Sequence, residues 1–264
     1  MEKFFIRNRK EQKIAVLLEE HPQQKGLAIV MHGLGGFKEQ DHIKTFAEAF
    51  KEEGFTVVRF DTTNTFGESE GEYENATTTN YYEDLEDVIS WMENKRWYEE
   101  PFWLCGHSLG GFSIILFAKK YPNKVKGLAP ISTVVSGEMS LDSPKYRGND
   151  ILKKWKETGW RTEESESKPG IVKKLRWSHM EDRLKYDILK DVNKLTMPVL
   201  LIVGDKDDST PPEHQKKLFE CLPGKKEMHI IKNAPHTFRD KNNLLEIKEI
   251  FKKWIKKILS TGNL

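Results

Sequence analysis

Between Phe102 and Gly111 the sequence Phe-Trp-Leu-Cys-Gly-His-Ser-Leu-Gly-Gly leaves little freedom of fold. Phe102 to Cys105 is a short apolar run that reads as a buried strand. Apolar periodicity from Leu109 to Tyr121 reads as a helix, stopped by Pro122. Between them Gly106-His107-Ser108-Leu109-Gly110 fits G-x-S-x-G, the sharp strand-to-helix turn called a nucleophile elbow. A Cβ at either glycine would collide with neighbouring backbone. The turn sets Ser108 at the end of a strand, over the positive end of a helix.

A sheet must surround such a turn, and the rest of the chain supplies one. Lys3 to Ile6 and Lys13 to Leu18 read as an antiparallel opening pair. Gly26 to Met31 is a continuous apolar run, as expected of a central strand buried on both faces. Phe55 to Phe60, Val125 to Ile131, Val199 to Val203 and Glu227 to Ile231 follow as further strands. Helices are expected at Asp41 to Glu53, Tyr81 to Asn94, Pro212 to Cys221 and Asn243 to Ile258. This alternation predicts an α/β fold with a doubly wound, mostly parallel sheet. Asp61 to Thr78 is a polar loop without periodicity.

The rhythm fails between Ser136 and Lys194. There the sequence reads as charged helical pieces, Asp150 to Thr158 and Ser178 to Lys190, around a polar break at Ser165 to Gly170. Residues 1–135 and 195–264 are therefore read as the core and 136–194 as a cap over the sheet's carboxyl edge, where open α/β sheets bind ligands.

Composition narrows the class. The 264 residues carry 43 Lys+Arg against 41 Asp+Glu, a net charge of +2, which gives no argument for nucleic acid or a membrane surface. No apolar run approaches the roughly 20 residues of a transmembrane helix, and the N-terminal apolar stretch is too short for a signal peptide. Cys105 and Cys221 cannot make a disulfide framework. The expectation is a soluble, cytoplasmic protein.

A serine nucleophile needs a base and a group that orients the base. Of the eight histidines, His236 in Asn-Ala-Pro-His-Thr-Phe follows the last strand, at the edge where the elbow opens. The acid is expected after the preceding strand, where Asp205, Asp207 and Asp208 all stand. An oxyanion hole needs backbone N–H groups. Leu109, just after the nucleophile, is expected to give one, and the glycine-rich His32-Gly33-Leu34-Gly35 the other. No His/Cys/Asp cluster has metal-ligand spacing, so neither metal nor cofactor is expected.

With these parts assembled, the chain resembles the α/β-hydrolase superfamily, and within it the small serine esterases that include cinnamoyl and feruloyl esterases. Val-Met-His-Gly-Leu-Gly-Gly, Val-Val-Arg-Phe-Asp, Gly-His-Ser-Leu-Gly-Gly, Gly-Asp-Lys-Asp and Ala-Pro-His match successive family motifs. The resemblance implies the α/β-hydrolase fold with a helical cap and a triad of Ser108, Asp207 and His236. It selects Asp207, three residues after Gly204 and four before Pro211, and makes Leu34 the second oxyanion donor. Gly33 and His107 would border the substrate, and Trp155, Trp160 and Trp177 are candidates to line its pocket or to form the cap's own small core. The loop from Asp61 to Ser69 departs from the family pattern in being longer and poorer in glycine.

The expected activity is hydrolysis of a small-molecule carboxylic ester through an acyl-enzyme. Thioester, lactone or small-peptide hydrolysis by the same triad, and a catalytically silent binding scaffold, are the alternatives. A homodimer is compatible with this reading. The insert shows no strongly apolar face, so short acyl or compact aryl esters are expected over long-chain triglycerides.

Overall fold

Leu27–Met31 is fully buried, and its side chains divide by parity between two cores, Ala28 and Val30 on one face, Leu27, Ile29 and Met31 on the other. The computed structural model describes residues 1–148, 150–165 and 170–261. In chain order its first elements are β1 (Glu2–Arg7), β2 (Lys13–Glu19), β3 (Leu27–Met31), α1 (Asp41–Glu52) and β4 (Thr56–Phe60). There follow α2 (Thr78–Met92), β5 (Phe102–His107), α3 (Leu109–Lys120) and β6 (Val125–Ile131). The main sheet has eight strands, ordered β1-β2-β4-β3-β5-β6-β9-β10, where β9 is Val199–Gly204 and β10 is Lys226–Ile231. Only the β1–β2 and β2–β4 pairings are antiparallel.

Helices cover both faces. On one, α1 packs Phe46 and Phe50 with Phe251 and Trp254 of the last helix, α8 (Lys241–Thr261). On the other, Leu85 and Val88 of α2 meet Phe112 and Ile115 of α3. The Thr77 hydroxyl accepts from the Asn80 N–H (3.0 Å) and starts α2. The expected doubly wound sheet is thus present, with the elbow strand β5 near its middle.

Between β6 and β9 the structure corrects the sequence reading. After α4 (Gly137–Leu141) and α5 (Ile151–Thr158), the chain turns at Gly159 (φ +76°) into a hairpin of β7 (Trp160–Glu164) and β8 (Val172–Arg176). The hairpin forms its own two-stranded sheet. The expected polar break at 165–170 falls mostly on 166–169, outside the described residues. The expected helix from Ser178 to Lys190 ends early, as α6 (Ser178–Arg183). Past that point the backbone bonds instead to the stretch between β6 and α4: Gly137 N–H donates to Tyr186 O (3.1 Å) and Ile188 N–H to Val135 O (2.9 Å). The segment is pinned to the core where Asp182 accepts from the Thr79 N–H and hydroxyl, both 2.8 Å. Helix α7 (Pro212–Cys221) then connects β9 to β10.

Among the described residues no helix is long and apolar enough to cross a membrane.

Candidate active site

At the carboxyl end of β5 the chain reverses into α3 through Ser108, at φ +55° and ψ −116°. L-residues rarely adopt that conformation, and close packing enforces it here. A Cβ on Gly106 would stand 2.5 Å from the Gly110 carbonyl carbon, and one on Gly110 would stand 2.4 Å from the His32 oxygen. Both elbow glycines are therefore required by contact.

The strand ends bring the three expected side chains together. His236 Nε2 lies 2.9 Å from Ser108 Oγ, and His236 Nδ1 lies 3.0 and 2.9 Å from the two Asp207 oxygens. With the proton on Nδ1 facing the carboxylate, Nε2 is free to accept from the serine hydroxyl. Asp207 is buried and receives the N–H groups of Ser209 (3.0 Å) and Thr210 (2.8 Å) and the Thr210 hydroxyl (2.9 Å). Burial alone would raise its pKa. The charge and hydrogen bond of His236, with the Thr210 N–H, outweigh it and hold the carboxyl well below the usual range. Neither Asp205 nor Asp208 touches His236 among the described hydrogen bonds.

Leu109 is the first residue of α3, so its N–H has no carbonyl one turn earlier. In the loop after β3, Gly36 N–H donates to Gly33 O (2.9 Å) and Gly35 N–H to Tyr81 Oη (3.1 Å), leaving the Leu34 N–H without a described acceptor. The Tyr81 hydroxyl in turn donates to Gly33 O at 3.3 Å. The loop is held from below by Lys38, whose ammonium lies 2.7 Å from Asp61 and 2.6 Å from Glu68.

The remaining expected residues stand elsewhere. Gly33 backs onto Ser108, where an added Cβ would meet the serine Cβ at 2.9 Å. His107 is buried away from the cavity and donates from Nε2 to His236 O (2.8 Å). Burial first, then the neighbouring His236, pushes it down to about 3, so it stays neutral and fixes the loop that carries His236. None of the three tryptophans lines the cavity. Trp155 is fully buried, with its Nε1 donating to Leu175 O (3.0 Å) and its ring edge-on to Trp177. Trp160 lies under Lys174 and Arg176 on the hairpin's outer side. They belong to the segment's own packing.

What does line the cavity is charge. Ser108 and His236 open into a space of about 400 Å³ bounded also by Leu34, Tyr73 and Tyr146. Its described walls carry Lys145, Arg161, Lys173, Arg183, Lys206 and Arg239 against Glu163, Glu164 and Asp208. Sequence reasoning placed the insert's charges on helical pieces and took its pocket candidates from the tryptophans. The signal it lacked was the alternation Arg161, Glu163 on β7, an inward face made of charges.

A model of the family described as "Serine aminopeptidase, S33" matches residues 22–241, and the chain belongs to that family. It is 28% identical over 246 residues to an Escherichia coli protein described as an uncharacterized 31.7 kDa protein in the traX-finO intergenic region, covering 82% of this chain and 84% of that one. It is 24% identical over 200 residues to the mitochondrial palmitoyl-protein thioesterase ABHD10 of Bos taurus, covering 75% of this chain and 62% of that one. Among solved structures, Est1E from Butyrivibrio proteoclasticus with ferulic acid bound superposes at TM-score 0.81, with 21% identity, over 97% of this chain and 99% of that one. The fold is the α/β-hydrolase fold, and the family is one of hydrolases.

Proposed function

We propose that this member of the S33 family hydrolyses carboxylic esters of small, polar substrates through an acyl-enzyme. The observation that carries the reading is the unbroken hydrogen-bond chain Ser108–His236–Asp207 at the wall of the cavity. In it Ser108 Oγ attacks the ester carbonyl while His236 Nε2 takes its proton. The developing oxyanion is received by the N–H groups of Leu34 and Leu109. His236 then returns the proton to the leaving alcohol, and Asp207 keeps the imidazole oriented and stabilises its cation. A water activated by the same histidine frees the acid.

Residues 136–194 serve as the cap, since they supply one wall of the cavity. A peptide's free α-ammonium would meet a predominantly basic wall, which weighs against aminopeptidase action despite the family's description. A thioester is the second reading, favoured by the bovine relative that is named a thioesterase. The polar lining and modest volume argue against long acyl chains in either case.

Initial rates on 4-nitrophenyl acetate, butyrate and palmitate and on methyl ferulate, beside acetyl and butyryl thioesters, test the reading, with Ser108→Ala as control. Short esters should be turned over fastest. A clear preference for palmitate with activation on emulsified triglyceride, or unchanged turnover in the Ser108→Ala protein, would overturn it.

A further inference from the structure

Arg183 is 8% exposed and lines the cavity that holds Ser108. A buried guanidinium is ordinarily matched by a carboxylate, and Arg183 has none within ion-pair distance among the described residues. Its Nε is buried without an acceptor, and its Nη2 donates to His179 Nε2 at 2.7 Å. His179 cannot neutralise it. That ring gives its Nδ1 proton to Ala76 O (2.8 Å), so Nε2 offers a lone pair and the imidazole is neutral. Burial first, then the adjacent Arg183 charge, keeps His179 well below its ordinary pKa.

Arg161 stands beside it and is nearly as deeply buried. Its Nη1 donates to Tyr146 Oη, and its Nε also lacks an acceptor. The carboxylate that Arg161 pairs with among the described residues, Glu163 at 3.4 Å, is shared with Lys145 (3.6 Å) and Lys173 (3.5 Å). From behind, the Trp155 ring lies 4.6 Å from the Arg161 guanidinium carbon and stacks on His179. Arg183 is thus held by a neutral group alone, and Arg161 beside it is held by Tyr146 and by a Glu163 carboxylate that two lysines also claim.

We propose that Arg183, with Arg161 beside it, forms a carboxylate-binding subsite in the cavity, so that the ester cleaved at Ser108 carries a second, ionised carboxyl group. This rests on the ester-hydrolase reading above. A planar guanidinium pairs with a carboxylate through two parallel N–H···O bonds, and burial strengthens them. The charge missing from the protein is then supplied by the substrate.

Two matched substrate pairs test it: mono-4-nitrophenyl adipate against 4-nitrophenyl hexanoate for a carboxylate in the acyl part, and 4-acetoxybenzoate against 4-acetoxybenzamide for one in the alcohol part. The native protein should favour the anionic member of at least one pair by about 10- to 100-fold in kcat/KM, chiefly through KM. Arg183→Gln, which keeps a donor for His179, should remove that preference, and Arg183→Lys should restore part of it. Equal rates within both pairs, or a preference unchanged in Arg183→Gln, would overturn the subsite. Should Arg183→Gln fail to fold, competition against a neutral ester in the native protein decides, by adipate for the acyl part and by 4-hydroxybenzoate for the alcohol part, and the absence of both is equally fatal.

Calorimetric titration of the Ser108→Ala protein with adipate separates this proposal from the one beneath it. Adipate binding without cleavage of any ester would keep the subsite and sink the esterase reading. Cleavage of neutral esters by a protein that binds neither adipate nor 4-hydroxybenzoate would do the reverse.

Discussion

Along the carboxyl edge of the main sheet the site is made by backbone, whereas across the cavity the segment from 136 to 194 makes it with side-chain charge. Ser108, Asp207 and His236 each follow a strand, and their positions are set by elbow glycines, a cap of N–H groups on Asp207 and pairing within an eight-stranded sheet. The facing wall rests on a separate two-stranded hairpin that lines the cavity with Arg161, Glu163, Glu164 and Lys173. A wall built the first way can perform one reaction on many substrates. One built the second way selects among them, at the cost of burying charge.

The sharpest break of this comparison is at the proposed nucleophile. Ser108→Ala should lower kcat by several orders of magnitude, on the order of 10⁶ where such a serine has been removed elsewhere, with circular dichroism and unfolding midpoint close to native. Next, Asp207→Asn should cost about 10⁴ in kcat, while Asp205→Asn and Asp208→Asn stay within about tenfold. A larger loss at either neighbour would refute the geometry of the turn after β9.

On the hairpin side the largest effect should be on stability. Trp155→Ala removes a fully buried ring and should cost about 3–5 kcal/mol by urea unfolding. A separate early transition would show that the segment melts apart from the core. Trp160→Ala, on the outer face, should stay within about 1 kcal/mol.

The smallest effect concerns acid. The Asp207 pKa is lowered in the folded protein, so its contribution to stability is present above the unfolded value near 3.8 and is lost as pH falls below it. The stability gap between native and Asp207→Asn should therefore be present at pH 5 and narrow below about pH 4. A gap that narrowed already at pH 6 would contradict the depressed carboxyl.

The same contrast explains what the sequence could show. The elbow and the sheet were legible because each rests on local steric rules: glycine where backbones touch, apolar runs where both faces are buried. Asp207 was singled out from Asp205 and Asp208 only by the resemblance to the family motif. The hairpin was not, because strand recognition relies on apolar alternation and β7 alternates charges inward. The helix from Ser178 was read too long for a related reason. Apolar spacing continues through Leu184 and Ile188, but the backbone of 186–188 is claimed by 135–137. Tyr81 and Thr210, which brace the loop after β3 and Asp207, are joined to them by tertiary contact that no spacing reveals.

The backbone at Ser108 carries a further consequence. Its φ of +55° with ψ of −116° suits glycine and costs a serine about 1–3 kcal/mol. Folding alone would favour glycine there, whereas the proposed acyl-enzyme chemistry requires serine. On that mechanism, loss of the hydroxyl in favour of glycine would trade turnover for thermal tolerance, so that this one position reports which of the two demands the chain has kept.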